Sequence, residues 1–231
     1  MKKTLILLSL LVTLVGCNNG SRLSSDDNKI YYGETPVGTF LPVEGDAVAY
    51  DDQMEFLDDN TLKITRTFTA LQDIDSIRLT LNFRHESECQ SAMIPSVSYD
   101  GNHWGKGKEP KGFQTDGVWH TYSYRRTPIP GATYSEGKDF AVAMWSTNPT
   151  NEAEAFSCSL MPEETEVTHS LILPEEERPF IYSGRDSYKD GFARKLSMRK
   201  GETRKMEAYL SVSPKSDNSY PIATFLDKAW E

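Results

Sequence analysis

Residues 99–112 read Tyr-Asp-Gly-Asn-His-Trp-Gly-Lys-Gly-Lys-Glu-Pro-Lys-Gly, with four glycines and one proline among carboxylate, amide, imidazole and indole groups. Glycines let a backbone turn sharply or come close to a ligand. The face of Trp104 can stack on the apolar face of a sugar ring, while Asn102 and His103 can bond its hydroxyls. The same residues fit a structural role, in which Trp104 staples the loop to the fold and Asp100 and Asn102 serve turn geometry. Trp119 and Tyr134 could extend a stacking platform around Trp104.

Other chemistries find less support. Glycoside hydrolysis needs two carboxyls at a set separation, one with a raised pKa. Asp100, Glu109, Asp116 and Glu136 are available, and each reads first as a turn or rim residue. Ser98, Ser135 and Ser146 lie nearby without a Gly-x-Ser-x-Gly elbow. His85, His103, His120 and His169 are isolated, with no His-x-x-x-His or Cys-x-x-Cys pair, so neither a metal nor a cofactor is expected. Asp58-Asp59-Asn60 reads as a turn between two strands, and the glutamates at 163, 164, 166 and 175–177, beside prolines, as solvated loops.

The elements that must position these groups are written in period two. Leu62, Ile64 and Phe68 alternate with Lys63, Thr65 and Thr67, and Ile77, Leu79, Leu81 and Phe83 alternate with Arg78, Thr80, Asn82 and Arg84. Shorter signals of the same kind occupy 47–56, 93–99, 119–125, 140–145, 155–161, 167–173 and 204–212. About nine or ten strands with no helix between them predict an all-β fold, an antiparallel β-sandwich over residues 30–217. Ile222, Phe225, Leu226, Ala229 and Trp230 then lie on one stripe of a helix whose start is marked by Ser219 and Pro221. Such a helix either packs back on the sandwich or opens a second, helical domain from residue 218, and the second is the expectation.

The N-terminus fixes a compartment. Lys2 and Lys3 precede an apolar run that ends in Leu14-Val15-Gly16-Cys17, which resembles the lipobox of bacterial lipoproteins. It implies a signal peptide over 1–16, lipid on Cys17, and a membrane contact through that lipid alone. Residues 17–29 read as a flexible tether. Ser24-Ser25-Asp26-Asp27 resembles the export signal of Bacteroidetes surface lipoproteins, implying display on the outer face of the outer membrane, with the periplasmic face as the alternative. Without the leader, 23 basic residues face 34 acidic ones. The basic residues are scattered apart from 194–205, read as a solvated hairpin, so nucleic acid is not an expected partner. Cys89 and Cys158 are compatible either with one disulfide or with two buried thiols.

An ordered series of motifs carries a second resemblance: Ile94-Pro95-Ser96-Val97-Ser98 leading into 99–105, then Glu109-Pro110-Lys111-Gly112-Phe113, Arg126-Thr127, Ile129-Pro130 and Thr133-Tyr134-Ser135. Together they are similar to the N-terminal β-sandwich of secreted glycoside hydrolases of gut Bacteroidetes, which is followed by an (α/α) toroid of the six-hairpin type. The resemblance implies that residues 220–231 are the linker and first toroid helix and that the catalytic carboxylates belong to the toroid, beyond Glu231. It also implies a complex glycan as the partner and Asn102, His103, Trp104 and Arg126 as substrate contacts, with no catalytic residue in the sandwich. A carbohydrate-binding lipoprotein without catalysis is the alternative.

Overall fold

A computed structural model describes residues 22–99, 114–115, 118–119, 121–178, 180–181, 188–189, 191–215 and 221–230. In chain order the first strands are β1 (Leu23–Asp26), β2 (Lys29–Tyr32), β3 (Thr35–Phe40), β4 (Val48–Phe56), β5 (Thr61–Ala70), β6 (Leu79–His85), β7 (Ser91–Ile94), β8 (Ser98–Tyr99), β9 (Gln114–Thr115) and β10 (Val118–Trp119). Then follow β11 (Thr121–Ser123), β12 (Thr133–Glu136), β13 (Phe140–Trp145), β14 (Ser157–Pro162), β15 (Val167–Leu173), β16 (Glu176–Glu177), β17 (Phe180–Ile181), β18 (Tyr188–Lys189), β19 (Phe192–Ala193), β20 (Thr203–Pro214) and the helix α1 (Pro221–Trp230).

Two seven-stranded sheets form the expected sandwich. The first has the order β1-β2-β3-β6-β15-β14-β11 and the second β4-β5-β20-β13-β12-β7-β8. Neighbouring strands are antiparallel throughout both. Alternation decides which side chains meet between the sheets: Leu79, Leu81 and Phe83 from β6 face Leu62, Ile64 and Phe68 from β5 and Leu210 and Val212 from β20, all buried in one core.

Three expectations need correction. Residues 23–29 are not tether: Leu23 is buried in the core, and β1 pairs with β2 through a turn in which Asp27 has φ +51°. One apolar residue inserted between the sheets orders the Ser-Ser-Asp run, which therefore forms a hairpin arm. The strand expected over 119–125 breaks after Ser123, where the chain turns into a 3-10 helix, Tyr124–Arg126, with the Ser123 hydroxyl accepting from the Arg125 amide at 3.3 Å. The terminal helix packs back on the sandwich. Phe225 is buried against Tyr134, Trp145, Ala141 and Ala143 on the outer face of the second sheet, and Lys228 reaches Asp58 at 2.9 Å. The small side chains Ala141 and Ala143 leave room for that apolar stripe, which is why the helix docks there.

Candidate functional site

The sandwich is open at one end, and the register shows why. β20 begins at Thr203, opposite Thr69 of β5, but β13 ends at Trp145, opposite Tyr209. The first residues of β20 therefore have no β13 neighbour, and the chain from Ser146 to Phe156 lies beside that gap. The result is a cleft of about 680 Å³ between the loop, the start of β20 and the end of β15. Its floor is apolar, made by Phe156, Leu171, Leu173 and Met206, and its rim carries Asn148, Arg204 and Lys205. An apolar floor with a few placed polar groups is the usual build of a small-ligand site.

The loop is held before any ligand arrives. Ser146 anchors its start, donating its amide to Pro130 O at 2.9 Å and its hydroxyl to Glu207 O at 2.7 Å. The Glu154 carboxylate accepts from the Thr150 amide at 3.1 Å and hydroxyl at 2.6 Å, while Asn151 caps the 3-10 turn Glu152–Glu154 through the Ala153 amide. Gly131 fits the floor: at φ +67°, a Cβ there would stand 2.6 Å from the Phe156 ring and 2.9 Å from Leu171. Arg204 holds Thr203 O at 3.0 Å and Glu202 at 2.5 Å, an exposed pair that leaves the guanidinium at the mouth.

Beside the cleft lies a cluster of charge that the sequence reading missed. Glu175 and Glu177 are buried rather than solvated, because arginines close over them. Arg126 meets Glu177 with two bonds, Nε at 2.8 Å and Nη2 at 2.7 Å. Arg194 donates to Glu175 at 2.9 Å, Ser123 donates its hydroxyl to the same carboxylate at 2.5 Å, and Arg125 stands 3.8 Å away. The spacing of 175 and 177 was the available signal, since alternate residues of an extended chain share a face. Cleft and cluster adjoin through one ring pair: Phe156, in the floor, stacks on Tyr124 at 5.2 Å, and Arg125 lies over Tyr124, 5.3 Å from its ring centre.

Of the sequence-expected residues, Cys17, Asn102, His103 and Trp104 lie outside the described residues. Arg126 is committed to Glu177, which makes it a structural cation of the cluster. Tyr134 is not a stacking platform: its ring is buried against Phe225 at 6.1 Å and its hydroxyl donates to Glu136 at 2.6 Å. Burial and that neighbouring carboxylate push its phenol well above the usual tyrosine range. Tyr134→Phe is expected to lower stability by about 1 kcal/mol, the usual worth of one hydrogen bond, and to leave glycan affinity unchanged. Chemical denaturation and a binding titration check the two halves.

Ser135, weighed above as a nucleophile, is fully buried in a polar chain that bridges the sheets. His85 Nδ1 lies 3.0 Å from Ser135 Oγ, which lies 2.8 Å from His169 Nε2, and His169 Nδ1 lies 2.9 Å from Thr133 Oγ1. Thr133 donates to Met144 O at 3.3 Å. With a neutral His169, working back from that carbonyl gives the proton order: His169 Nδ1–H donates to Thr133, Ser135 donates to His169 Nε2, and His85 Nδ1–H donates to Ser135. Burial is what disfavours the charged imidazoles, pushing His85 down to about 4 and His169 well below the ordinary histidine value. The chain is a cross-brace, closed to substrate. Cys89 and Cys158 are not joined in a disulfide, and burial pushes the Cys158 thiol up to about 12, so it behaves as a small apolar side chain.

No family model and no curated protein matches the chain. Among solved structures the chain is similar to a protein provisionally assigned as an aldose 1-epimerase from Escherichia coli K12, at 13% identity, over 83% of this chain and 67% of that one, with a TM-score of 0.32. A likeness of that degree fixes neither site nor activity.

Proposed function

We propose that this chain is a non-catalytic, glycan-binding β-sandwich, the accessory part of a surface-anchored glycoside hydrolase, held at the outer membrane by lipid on Cys17. The observation that carries the reading is the cleft, with an apolar floor for the C–H face of a sugar and Asn148, Arg204 and Lys205 placed to bond its hydroxyls. The non-catalytic half rests on the carboxylates beside it. Glu175 and Glu177 are each occupied by arginine, and of the carboxylates that line the cleft Glu154 is bonded to Thr150 and Glu207 to Lys63 and Thr65, so none of the four is placed to donate a proton or attack a sugar. The second reading, a carbohydrate-binding lipoprotein without catalysis, rests on the same cleft.

Both readings share one test. The full chain, purified in detergent, is applied to a glycan array, and its best ligand is titrated against wild type and Arg204→Ala. Binding without release of reducing sugar is expected, with affinity falling about tenfold in the variant, equivalent to about 1.4 kcal/mol, and an unchanged Tm because the Arg204–Glu202 pair is exposed. Equal affinity in the two proteins, or no glycan bound, contradicts the reading.

A further inference from the structure

Two guanidinium groups share one buried carboxylate beside the cleft. Arg194 bonds Glu175 through Nε at 2.9 Å, and Arg125 approaches the other Glu175 oxygen at 3.8 Å. Glu175 is almost fully buried, whereas the side chains of Arg125 and Arg194 are 53% and 38% exposed. Arg194 is therefore fixed from below by Glu175, and Arg125 is held by donating Nε to the Tyr124 hydroxyl at 3.0 Å, so that both present their Nη groups outward. The remaining positive charge is answered from solvent by Glu152, whose side chain is 77% exposed and whose carboxylate lies 3.3 Å from Arg194 Nη1. That pair is long and exposed, and such pairs are weak. Glu152 stands between Asn151 and Ala153, both of which line the cleft.

We propose that Arg125 and Arg194 form an anion subsite at the end of the cleft, that the glycan it takes carries a carboxylate or sulfate group, and that Glu152 holds the position this group occupies. The proposal rests on the glycan reading and deepens it. A ring lying over Phe156 would extend its acidic substituent toward Arg194, past the Tyr124 ring that Arg125 covers. Planar guanidinium forks match the oxygens of carboxylate and sulfate groups, and anchoring by Glu175 and Tyr124 removes the rotamer cost of presenting them. The incoming anion displaces a carboxylate already on the chain, so the local charge after binding is the same as before, with Glu152 released to water.

The test uses the full chain in detergent and four probes: polygalacturonate, its carboxyl-reduced neutral form, dextran sulfate and dextran. Wild type is expected to bind one anionic probe at least tenfold more tightly than its neutral counterpart. Preference for polygalacturonate assigns a carboxylate ligand, and preference for dextran sulfate assigns a sulfate. Glu152→Gln is expected to tighten anionic binding about threefold or more, while Glu164→Gln, an exposed glutamate on another loop with the same charge change, leaves it unaltered. Arg125→Gln is expected to weaken anionic binding about tenfold and leave neutral binding unchanged. Equal affinity for charged and neutral probes, with the effect of Arg204→Ala retained, overturns the anion subsite and leaves the glycan cleft standing. Equal tightening by Glu152→Gln and Glu164→Gln overturns it as well, and failure of all probes and of the array overturns both readings.

Discussion

Replacing Arg66 by alanine is expected to lower stability by about 3–5 kcal/mol, which for a chain of this size moves Tm down by roughly 6–20 °C. Arg66 lies on the inward face of β5 and is 1% exposed. Its Nε and Nη2 bond both oxygens of Asp52 on β4 at 2.7 and 2.6 Å. Its Nη1 crosses to the other sheet, donating to Leu41 O at 2.9 Å, and its guanidinium sits 4.6 Å from the centre of the Tyr50 ring. Without Arg66 a carboxylate that is 7% exposed is left unpaired between the sheets. The cost comes from that orphaned charge rather than from the pair itself. The double variant Arg66→Met, Asp52→Leu is accordingly expected to recover most of the loss. Denaturant unfolding of the three proteins measures both effects, and a single variant within 1 kcal/mol of wild type contradicts the account.

Acidification from pH 7 to 4.5 is expected to cost about 2–3 kcal/mol through His85 alone, with His169 adding to it. The sign follows from the neutral imidazoles. His85 titrates near 4 in the folded chain and near the ordinary 6.5 when unfolded, so below pH 6.5 the unfolded state binds a proton that the fold refuses. Stability is complete above pH 6.5 and is lost as the pH falls toward 4. Protonating His169 Nε2 would set an N–H against the Ser135 hydroxyl that donates to it, so the hydrogen-bond chain itself opposes the charge. The carboxylates held low, Glu86 and Glu202 among them, act in a lower window, below their ordinary value of 4.5. Urea unfolding at pH 7, 5.5, 4.5 and 3.5 separates the two windows. Equal stability at pH 7 and 5.5, followed by a fall only below 4.5, would sink the histidine account.

Period two made most of the sandwich legible. The alternation of 62–68 and 77–84 gave β5 and β6, and 140–145 and 167–173 gave β13 and β15 with their observed limits. The helix stripe at Phe225, Leu226 and Ala229 was equally readable, because its spacing needs no tertiary partner to be recognised. What α1 packs on was not, since that depended on Ala141 and Ala143 opening a groove on the outer face. β1 was hidden because four residues with one apolar side chain have no periodicity, and only the neighbouring strand supplies a reason for order.

Site residues were harder to read than elements. Tyr134 alternates with inward Thr133 and Ser135 and so faces out of the sandwich, but sequence does not say that a helix covers that face. Glu175 and Glu177 looked solvated because a run of carboxylates beside a proline usually is, and their arginines are separated from them by about fifty residues for one pair and by fewer than twenty for the other. The cleft follows from β20 outrunning β13, a consequence of register that no local pattern encodes.

Hydrogen–deuterium exchange of the full chain, with and without its tightest array glycan, tests the central claim most directly. The account predicts slowed exchange in the loop 146–156 and at 203–207, the two rims of the cleft, with little change in the hairpin formed by β1 and β2. Protection confined to that hairpin, or to α1 and the sheet face beneath it, with the loop and the start of β20 unaffected, would contradict it.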